Sequence, residues 1–183
     1  MRQLATCPHC ADRAPTRRSV VTGLAAAAVV PAVASPAVAA ASDEDTRFMR
    51  IAIAEARRAD YPFGAVIVRD GELLVRGRNL GRATDDPTAH GEMVAIRRCV
   101  ARHGSKAMRG ATLYTSGEPC VMCAGAIVWC GFGRLVFAAS VEQIAAKMNQ
   151  IAVSSAEIAA KAPFARISIT GGVLADEAVK LFG

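Results

Sequence analysis

Internal repeats and low-complexity tracts are absent from this sequence after residue 42, and cysteine is too sparse for a dense disulfide framework. Six cysteines occur in 183 residues, and two of them, Cys120 and Cys123, belong to the motif described below. With 52% apolar residues, the chain is long enough for one domain with a substantial core and too short for two comfortable ones. We therefore expect one globular domain.

A clustered excess of basic charge is also missing. The formal net charge is +6, but the first 41 residues contribute four Arg and one Asp, and the remaining 18 basic and 15 acidic side chains leave +3. Contacts to phosphates need a clustered basic patch rather than an excess spread along the chain. The charge therefore gives weak support for nucleic acid as a partner, and small substrates remain equally open.

The N-terminal region has no run rich in Leu, Ile or Phe. Instead, Arg17-Arg18 precedes an uncharged stretch, residues 19–42, that is rich in Ala and Val and is interrupted by Pro31 and Pro36. A basic start, an apolar middle and small residues at 37–39 are the parts of an export signal, and this one resembles a twin-arginine signal. We expect residues 1–41 to be that signal, which makes the protein periplasmic or extracellular. A cytoplasmic location is the alternative.

A membrane anchor is the competing interpretation of this region. An Ala-rich stretch with two prolines makes a poorer spanning helix than Leu, Ile or Phe would, so we expect no stable membrane span once the signal is cleaved. Residues 42–183 are then the mature domain.

Two motifs carry the chemistry. His90-Gly91-Glu92 is followed, 27 residues after Glu92, by Pro119-Cys120-Val121-Met122-Cys123. Structural zinc normally has four protein ligands, whereas only three are evident here, His90, Cys120 and Cys123, which leaves the fourth tetrahedral position to water. We therefore predict a catalytic Zn²⁺ with Glu92 as a proton carrier that does not bind the metal.

Each of these residues also has a structural interpretation. The Cys-x-x-Cys pair alone could be a redox pair, half of a structural zinc site or two buried thiols. Glu92 could only favour the positive end of a helix, and His90 could be a surface capping residue. The combined pattern of His-x-Glu followed by Pro-Cys-x-x-Cys favours the catalytic site.

Strands and helices alternate along the domain, which predicts a layered α/β fold with helices on both faces of a mixed sheet. An Asp-Gly turn at 70–71 predicts a hairpin. The predicted helices cover residues 45–59, 90–102, a segment that begins at Cys120, 141–148 and 173–182, and the predicted strands cover 64–69, 72–77, 111–116, 134–139 and 165–170. Both motifs thus fall at helix N-termini, where the positive helix end stabilises a thiolate.

The chain resembles the cytidine and deoxycytidylate deaminase superfamily, and within it the nucleoside deaminase branch of bacterial guanine deaminase and tRNA adenosine deaminase. The similar stretch runs from about residue 46 to 140. The resemblance is carried by residues 61–68, Asn79, residues 86–92 and residues 113–129.

This resemblance implies a three-layer α/β/α fold with a mixed five-stranded sheet, a homodimer, and removal of ammonia by a zinc-dependent hydrolytic reaction. It also implies that Asn79 hydrogen-bonds the base or sugar, that Phe63 lines the pocket and that Ala65 approaches the ligand through its backbone. Trp129, the only Trp, would stack on the ring. Its alternative role is core packing.

The chain departs from the family pattern at three places. Gly91 and Gly117 replace larger residues, which could loosen the metal-site loops, and residues 141–163 lack the acidic and aromatic residues by which guanine deaminases recognise their base. We expect a guanine-like or cytosine-like free base or nucleoside as substrate rather than nucleic acid. The alternatives are a tRNA adenosine deaminase, which residues 169–177 resemble, and a non-catalytic zinc-binding module.

Overall fold

The computed structural model describes residues 41–183, and its first element, helix α1, spans Asp43–Ala56. Ser42 and Asp45 form a capping box, in which each side chain accepts a hydrogen bond from the backbone of the other. The apolar face of α1 is buried against the sheet. The predicted export signal lies outside the described residues except for Ala41, and it stays a prediction.

Five strands form one mixed sheet: β1 Gly64–Arg69, β2 Glu72–Arg78, β3 Thr112–Gly117, β4 Arg134–Ala139 and β5 Ser168–Thr170. Their order in the sheet is β2-β1-β3-β4-β5. Strand β1 is antiparallel to β2 and β3, whereas β3, β4 and β5 are parallel. Asp70 and Gly71 join β1 to β2 with φ of 52° and 76°, the left-handed backbone that two-residue hairpin turns require.

Helices cover both faces of this sheet. Besides α1 they are α2 Gly91–His103, α3 Val121–Cys130, α4 Val141–Ala145, α5 Ser155–Ala160 and α6 Ala175–Val179, with a 3₁₀ turn at Ser105–Met108. Alternate strand residues point to opposite faces, so that Val66 and Val136 pack with α1 and α6, and Ile67 and Leu135 pack with α2 and α3. The predicted α/β/α fold with a mixed five-stranded sheet is confirmed.

Several element ends differ from the sequence prediction. His90 and Cys120 are the N-caps of α2 and α3 rather than their first helical residues. The last strand and the last helix are shorter than predicted, and α5 was not predicted although Ser154 and Glu157 give it a capping box. None of the helices within residues 41–183 combines the length and the apolar character that crossing a membrane requires.

Candidate metal centre

Three side chains converge where α2 and α3 begin. His90 Nδ1 lies 3.6 Å from Cys120 Sγ and 3.6 Å from Cys123 Sγ, and the ligand atoms of the three residues lie within 4.8 Å of one another. Tetrahedral zinc with Zn–S bonds of about 2.3 Å and Zn–N bonds of about 2.0–2.1 Å sets a sulfur–nitrogen separation of about 3.5–3.6 Å. These residues therefore fit zinc and leave one coordination position for another ligand.

Close backbone packing between Gly77 and Gly91 holds the start of α2 in place. A Cβ on Gly77 would lie 2.3 Å from the carbonyl oxygen of Gly91, so β2 and the start of α2 approach closely only because Gly77 has no side chain. The loop before His90 is fixed by hydrogen bonds from Asn79 N–H to Phe63 O, 2.8 Å, and from Leu80 N–H to Ala89 O, 2.9 Å.

Gly91 and Gly117 are packed against Phe63. A Cβ on Gly91 would lie 2.8 Å from the carbonyl oxygen of Phe63, and one on Gly117 would lie 2.8 Å from Ile144 Cδ1 and 3.2 Å from the Phe63 ring. The space of the missing side chains is thus filled by neighbours. The expectation that these glycines loosen the metal-site loops is wrong.

The three ligands influence one another's protonation. The hydrogen bond from Cys123 and, less strongly, the one from His90 lower the pKa of Cys120 to about 4. The hydrogen bond with Cys120 in turn raises the pKa of His90. A thiolate is thus stabilised at the N-terminal end of α3, which suits metal binding.

Glu92 lies one residue further into α2 than Gly91 and is only 2% exposed. Its burial raises the pKa of the carboxyl group, and the group is close enough to Cys123 to affect the pKa of that thiol. Among the described residues, the cluster of ligand atoms consists of His90, Cys120 and Cys123 alone. Glu92 is therefore beside the ligand set without belonging to it.

A cleft of about 550 Å³ opens on two of the metal ligands, His90 and Cys120. The predicted substrate-binding residues Phe63 and Asn79 both line it. The rings of Phe63 and His90 are within 7° of parallel, with centroids 6.5 Å apart. Asn79 Oδ1 accepts a hydrogen bond of 3.0 Å from Gly81 N–H, which leaves the amino group of Asn79 free to donate. The other lining residues are Tyr61, Pro87, His90, Cys120, Val121, Met122, Met148, Asn149, Gln150 and Ile151.

Two predicted site residues are not in this cleft. Ala65 is fully buried in β1, between β2 and β3, and its side chain packs in the core. Trp129 is 77% exposed on the outer face of α3, and its ring contacts that of Phe164 at a tilt of 31°, with centroids 4.9 Å apart. The structure contradicts both the ring-stacking role of Trp129 within this chain's cleft and its alternative of core packing.

Sequence reasoning missed the wall formed by residues 148–151 and the residue that holds it. Glu118 is buried, and its carboxylate accepts hydrogen bonds from the N–H groups of Val141, 3.0 Å, and Ser155, 2.8 Å. These N–H groups begin α4 and α5, so Glu118 fixes both helices that flank residues 148–151. Glu118 precedes Pro119-Cys120 in the sequence, but no local pattern there predicts which groups its carboxylate binds.

Comparison with known proteins agrees with this geometry. The family model described as the cytidine and deoxycytidylate deaminase zinc-binding region matches residues 42–139. The chain is 38% identical over 96 residues to a tRNA-specific adenosine deaminase of Aquifex aeolicus, covering 50% of this chain and 64% of that protein. It is 50% identical over 68 residues to a guanine deaminase of Bacillus subtilis, covering 37% and 44%.

Among solved structures, one from a study of A-to-I editing by tRNA:A34 deaminases superposes with a TM-score of 0.63 and 32% identity. The match covers 74% of this chain and 99% of the other. The chain spans less than two thirds of the length of the two relatives above. The stretch that matches the family model, residues 42–139, contains both sequence motifs.

Proposed function

Because the chain belongs to the cytidine and deoxycytidylate deaminase family, we propose that it removes ammonia from a free nucleobase or nucleoside by zinc-dependent hydrolysis. The observation that carries this proposal is the ligand triad His90, Cys120 and Cys123, of which His90 and Cys120 line a largely apolar cleft, with Glu92 buried beside it. A planar amino heterocycle fits that combination of apolar walls and few polar groups.

The reaction needs one water and returns one ammonia. When bound, zinc supplies Lewis-acid activation of the attacking water and lowers its pKa to about 7. Glu92 accepts one proton as the water oxygen bonds to the amino-bearing ring carbon, and it passes that proton to the ring nitrogen. It then takes the second proton from the hydroxyl group now on that carbon and delivers it to the departing amine. The carbon–nitrogen bond breaks, ammonia leaves and the ring keeps a carbonyl. Burial of Glu92 limits its contact with bulk water.

Three neutral amide side chains, those of Asn79, Asn149 and Gln150, line the cleft. Asn79 donates through its amino group, and Asn149 and Gln150 each offer both a donor and an acceptor. Phe63 and His90 present parallel rings against which a flat heterocycle stacks. The wall therefore suits an uncharged ring, guanine-like or cytosine-like, that both donates and accepts hydrogen bonds.

Deamination of adenosine in tRNA is the second candidate, and the name of the Aquifex aeolicus relative favours it. Binding a polynucleotide relies on several cations along its path. In the described part of the chain, none of the residues that line the cleft is an Arg or a Lys. We therefore rank a small substrate first.

The test is release of ammonia by the zinc-loaded chain from guanine, cytosine, adenine, their nucleosides and tRNA. Glu92→Gln should retain zinc, measured by elemental analysis, and lose turnover by more than about 100-fold, because general acid–base catalysis contributes that much or more. Activity on tRNA alone would replace the first candidate with the second. A variant that turns over normally would remove Glu92 from its role, and silence of the zinc-loaded wild type on every compound would favour a non-catalytic module.

Location and assembly complete the proposal. We expect export by the twin-arginine route, and secretion that survives Arg17→Lys together with Arg18→Lys would contradict it.

A homodimer is expected as well, and sedimentation as a monomer at micromolar concentration would contradict that.

A further inference from the structure

Glu55 is buried in the last turn of α1, and three arginines surround its carboxylate. Arg58 donates a hydrogen bond to Oε1, Arg76 lies 3.8 Å from Oε1, and Arg78 lies 3.6 Å from Oε2. We call these four residues the arginine cluster. A Cβ on Gly64 would lie 2.9 Å from Glu55 Cβ, so α1 lies close against the start of β1 and brings Glu55 to the neighbouring strand β2. The fold alone gathers these charges, which are spread along the sequence.

Arg76 and Arg78 are held near Glu55 without being hydrogen-bonded to it. They are two residues apart on β2, so both side chains point to the face that α1 covers. Their distances to the carboxylate are too long for hydrogen bonds. Within residues 41–183, neither guanidinium donates a hydrogen bond or forms a second ion pair, and the two side chains are 52% and 34% exposed. The cluster thus presents two uncommitted guanidinium groups to solvent.

The charges of the cluster do not balance. Three guanidinium groups and one carboxylate leave a net charge of +2, and the C-terminal end of α1 contributes only about half a negative charge. Arg58 by itself pairs the buried carboxylate, so Arg76 and Arg78 are not needed for that purpose. Like charges gathered in one place repel one another, and a bound anion removes that repulsion.

We propose that the arginine cluster binds the dianion of a phosphate monoester, at a site separate from the metal cleft. The planar guanidinium fork matches the oxygens of a phosphate and bonds to two of them at once. A phosphate monoester carries about −1.5 to −2 charges at pH 7, which balances the cluster. A phosphodiester or a carboxylate carries one charge and leaves the balance incomplete. None of the four residues lines the cleft.

The test is calorimetric titration of the full zinc-loaded chain with glycerol 3-phosphate, a free phosphate monoester. Arg76→Gln should weaken binding about tenfold, because it removes a charged donor while Arg58 still pairs Glu55. Arg76→Lys keeps the charge but loses the guanidinium fork, and it should weaken binding about threefold or more. Arg57→Gln is the matched control, because Arg57 is exposed next to Arg58 and forms no ion pair within the described residues.

Two further probes define the ligand. Dimethyl phosphate, a diester with one charge, should bind about tenfold more weakly than the monoester. Phosphatidic acid vesicles carry the monoester on a lipid, and phosphatidylcholine vesicles are their control. Binding that depends on Arg76, either to glycerol 3-phosphate or to phosphatidic acid vesicles, supports the site and identifies its source as free or lipid-bound.

Absence of Arg76-dependent binding to both forms of the monoester at about 10 mM, which would saturate a millimolar site, would overturn the proposal. An equal loss in Arg57→Gln, or unchanged binding in Arg76→Lys, would replace the site with general charge attraction. Equal affinity for dimethyl phosphate would overturn the assignment to a monoester. Ammonia release enters none of these measurements, so their outcome is independent of the proposed function.

Discussion

Gly91 separates the metal ligand His90 from Glu92, and its missing side chain matters to both. A Cβ on Gly91 would lie only 2.8 Å from the carbonyl oxygen of Phe63, and that oxygen also accepts a hydrogen bond from Asn79 N–H. A backbone neighbour cannot move aside as a side-chain tip can. Gly91 therefore fixes the spacing between the start of α2 and the wall of the cleft.

We predict that Gly91→Ala lowers the free energy of unfolding by about 1–3 kcal/mol, since overpacking forces the backbone to shift. Gly117→Ala should cost less, because the nearest atom there is the flexible tip of Ile144. Urea denaturation of the zinc-loaded protein measures both. Gly125→Ala, with no neighbour within 4 Å of the added Cβ, is the control, and equal stability of the Gly91 and Gly125 variants would contradict the argument.

At the scale of elements, Glu118 joins the start of α3 to the helices beyond β4. It accepts hydrogen bonds from the first N–H groups of α4 and α5, so its negative charge meets two positive helix ends. The chain between those helices contributes Met148 to Ile151 to the cleft. The shape of that wall therefore depends on a residue outside it.

Glu118→Gln should lower the free energy of unfolding by about 2 kcal/mol, because the amide offers one acceptor in place of two and loses the charge. Relative to the wild type, backbone amide hydrogen exchange in Glu118→Gln should speed up over residues 141–160 more than over the strands. Glu142→Gln is the control, since Glu142 is exposed in α4. Unchanged exchange over residues 141–160 would argue that Glu118 does not hold the wall.

A second link ties α1 to strands β3 and β4. Asp45 is 1% exposed, its carboxylate accepts two hydrogen bonds from Arg134, at 2.7 and 2.9 Å, and Tyr114 donates to it at 3.0 Å. Burial alone would raise the pKa of Asp45, but the hydrogen bonds from Arg134, Ser42 and Tyr114 outweigh it and lower the pKa. The ion pair thus anchors the first helix to β3 and β4.

A carboxyl group whose pKa is lowered on folding stabilises the fold above its unfolded pKa of about 4, and that contribution is lost as the pH falls towards the folded pKa. Asp45→Asn should therefore cost about 3 kcal/mol at pH 7 and progressively less below pH 4. Unfolding free energies of both proteins across that range measure the difference. Asp43→Asn is the exposed control on the same turn, and a difference that stays constant below pH 4 would exclude the titration of Asp45 as its cause.

At the scale of the whole molecule, zinc connects two helices that reach the site from different parts of the chain. Removing it with a chelator should lower Tm, and restoring free zinc to about 100 times its Kd should return about 3 kcal/mol of stability. Cys123→Ala should abolish this zinc-dependent shift. Cys130→Ala should keep it, because Cys130 lies on the same helix outside the ligand set. A zinc-dependent shift that survives Cys123→Ala would contradict the ligand assignment.

The sequence by itself determined the metal site and much of the fold, because both depend on short-range patterns. His90, Cys120 and Cys123 lie at helix starts that turn residues mark locally, and Asp70-Gly71 encodes the hairpin through its left-handed backbone. The alternation of strands and helices then predicted the layers.

Only the tertiary structure decided which faces and loops meet. Helix α3 has no charged side chain, so its sequence did not indicate which side faces solvent, and packing against the sheet turned Trp129 outward. The wall at residues 148–151 and the role of Glu118 depend on hydrogen bonds between residues 23 and 37 positions apart. Such contacts follow from the packing of elements, and no local period in the sequence records them.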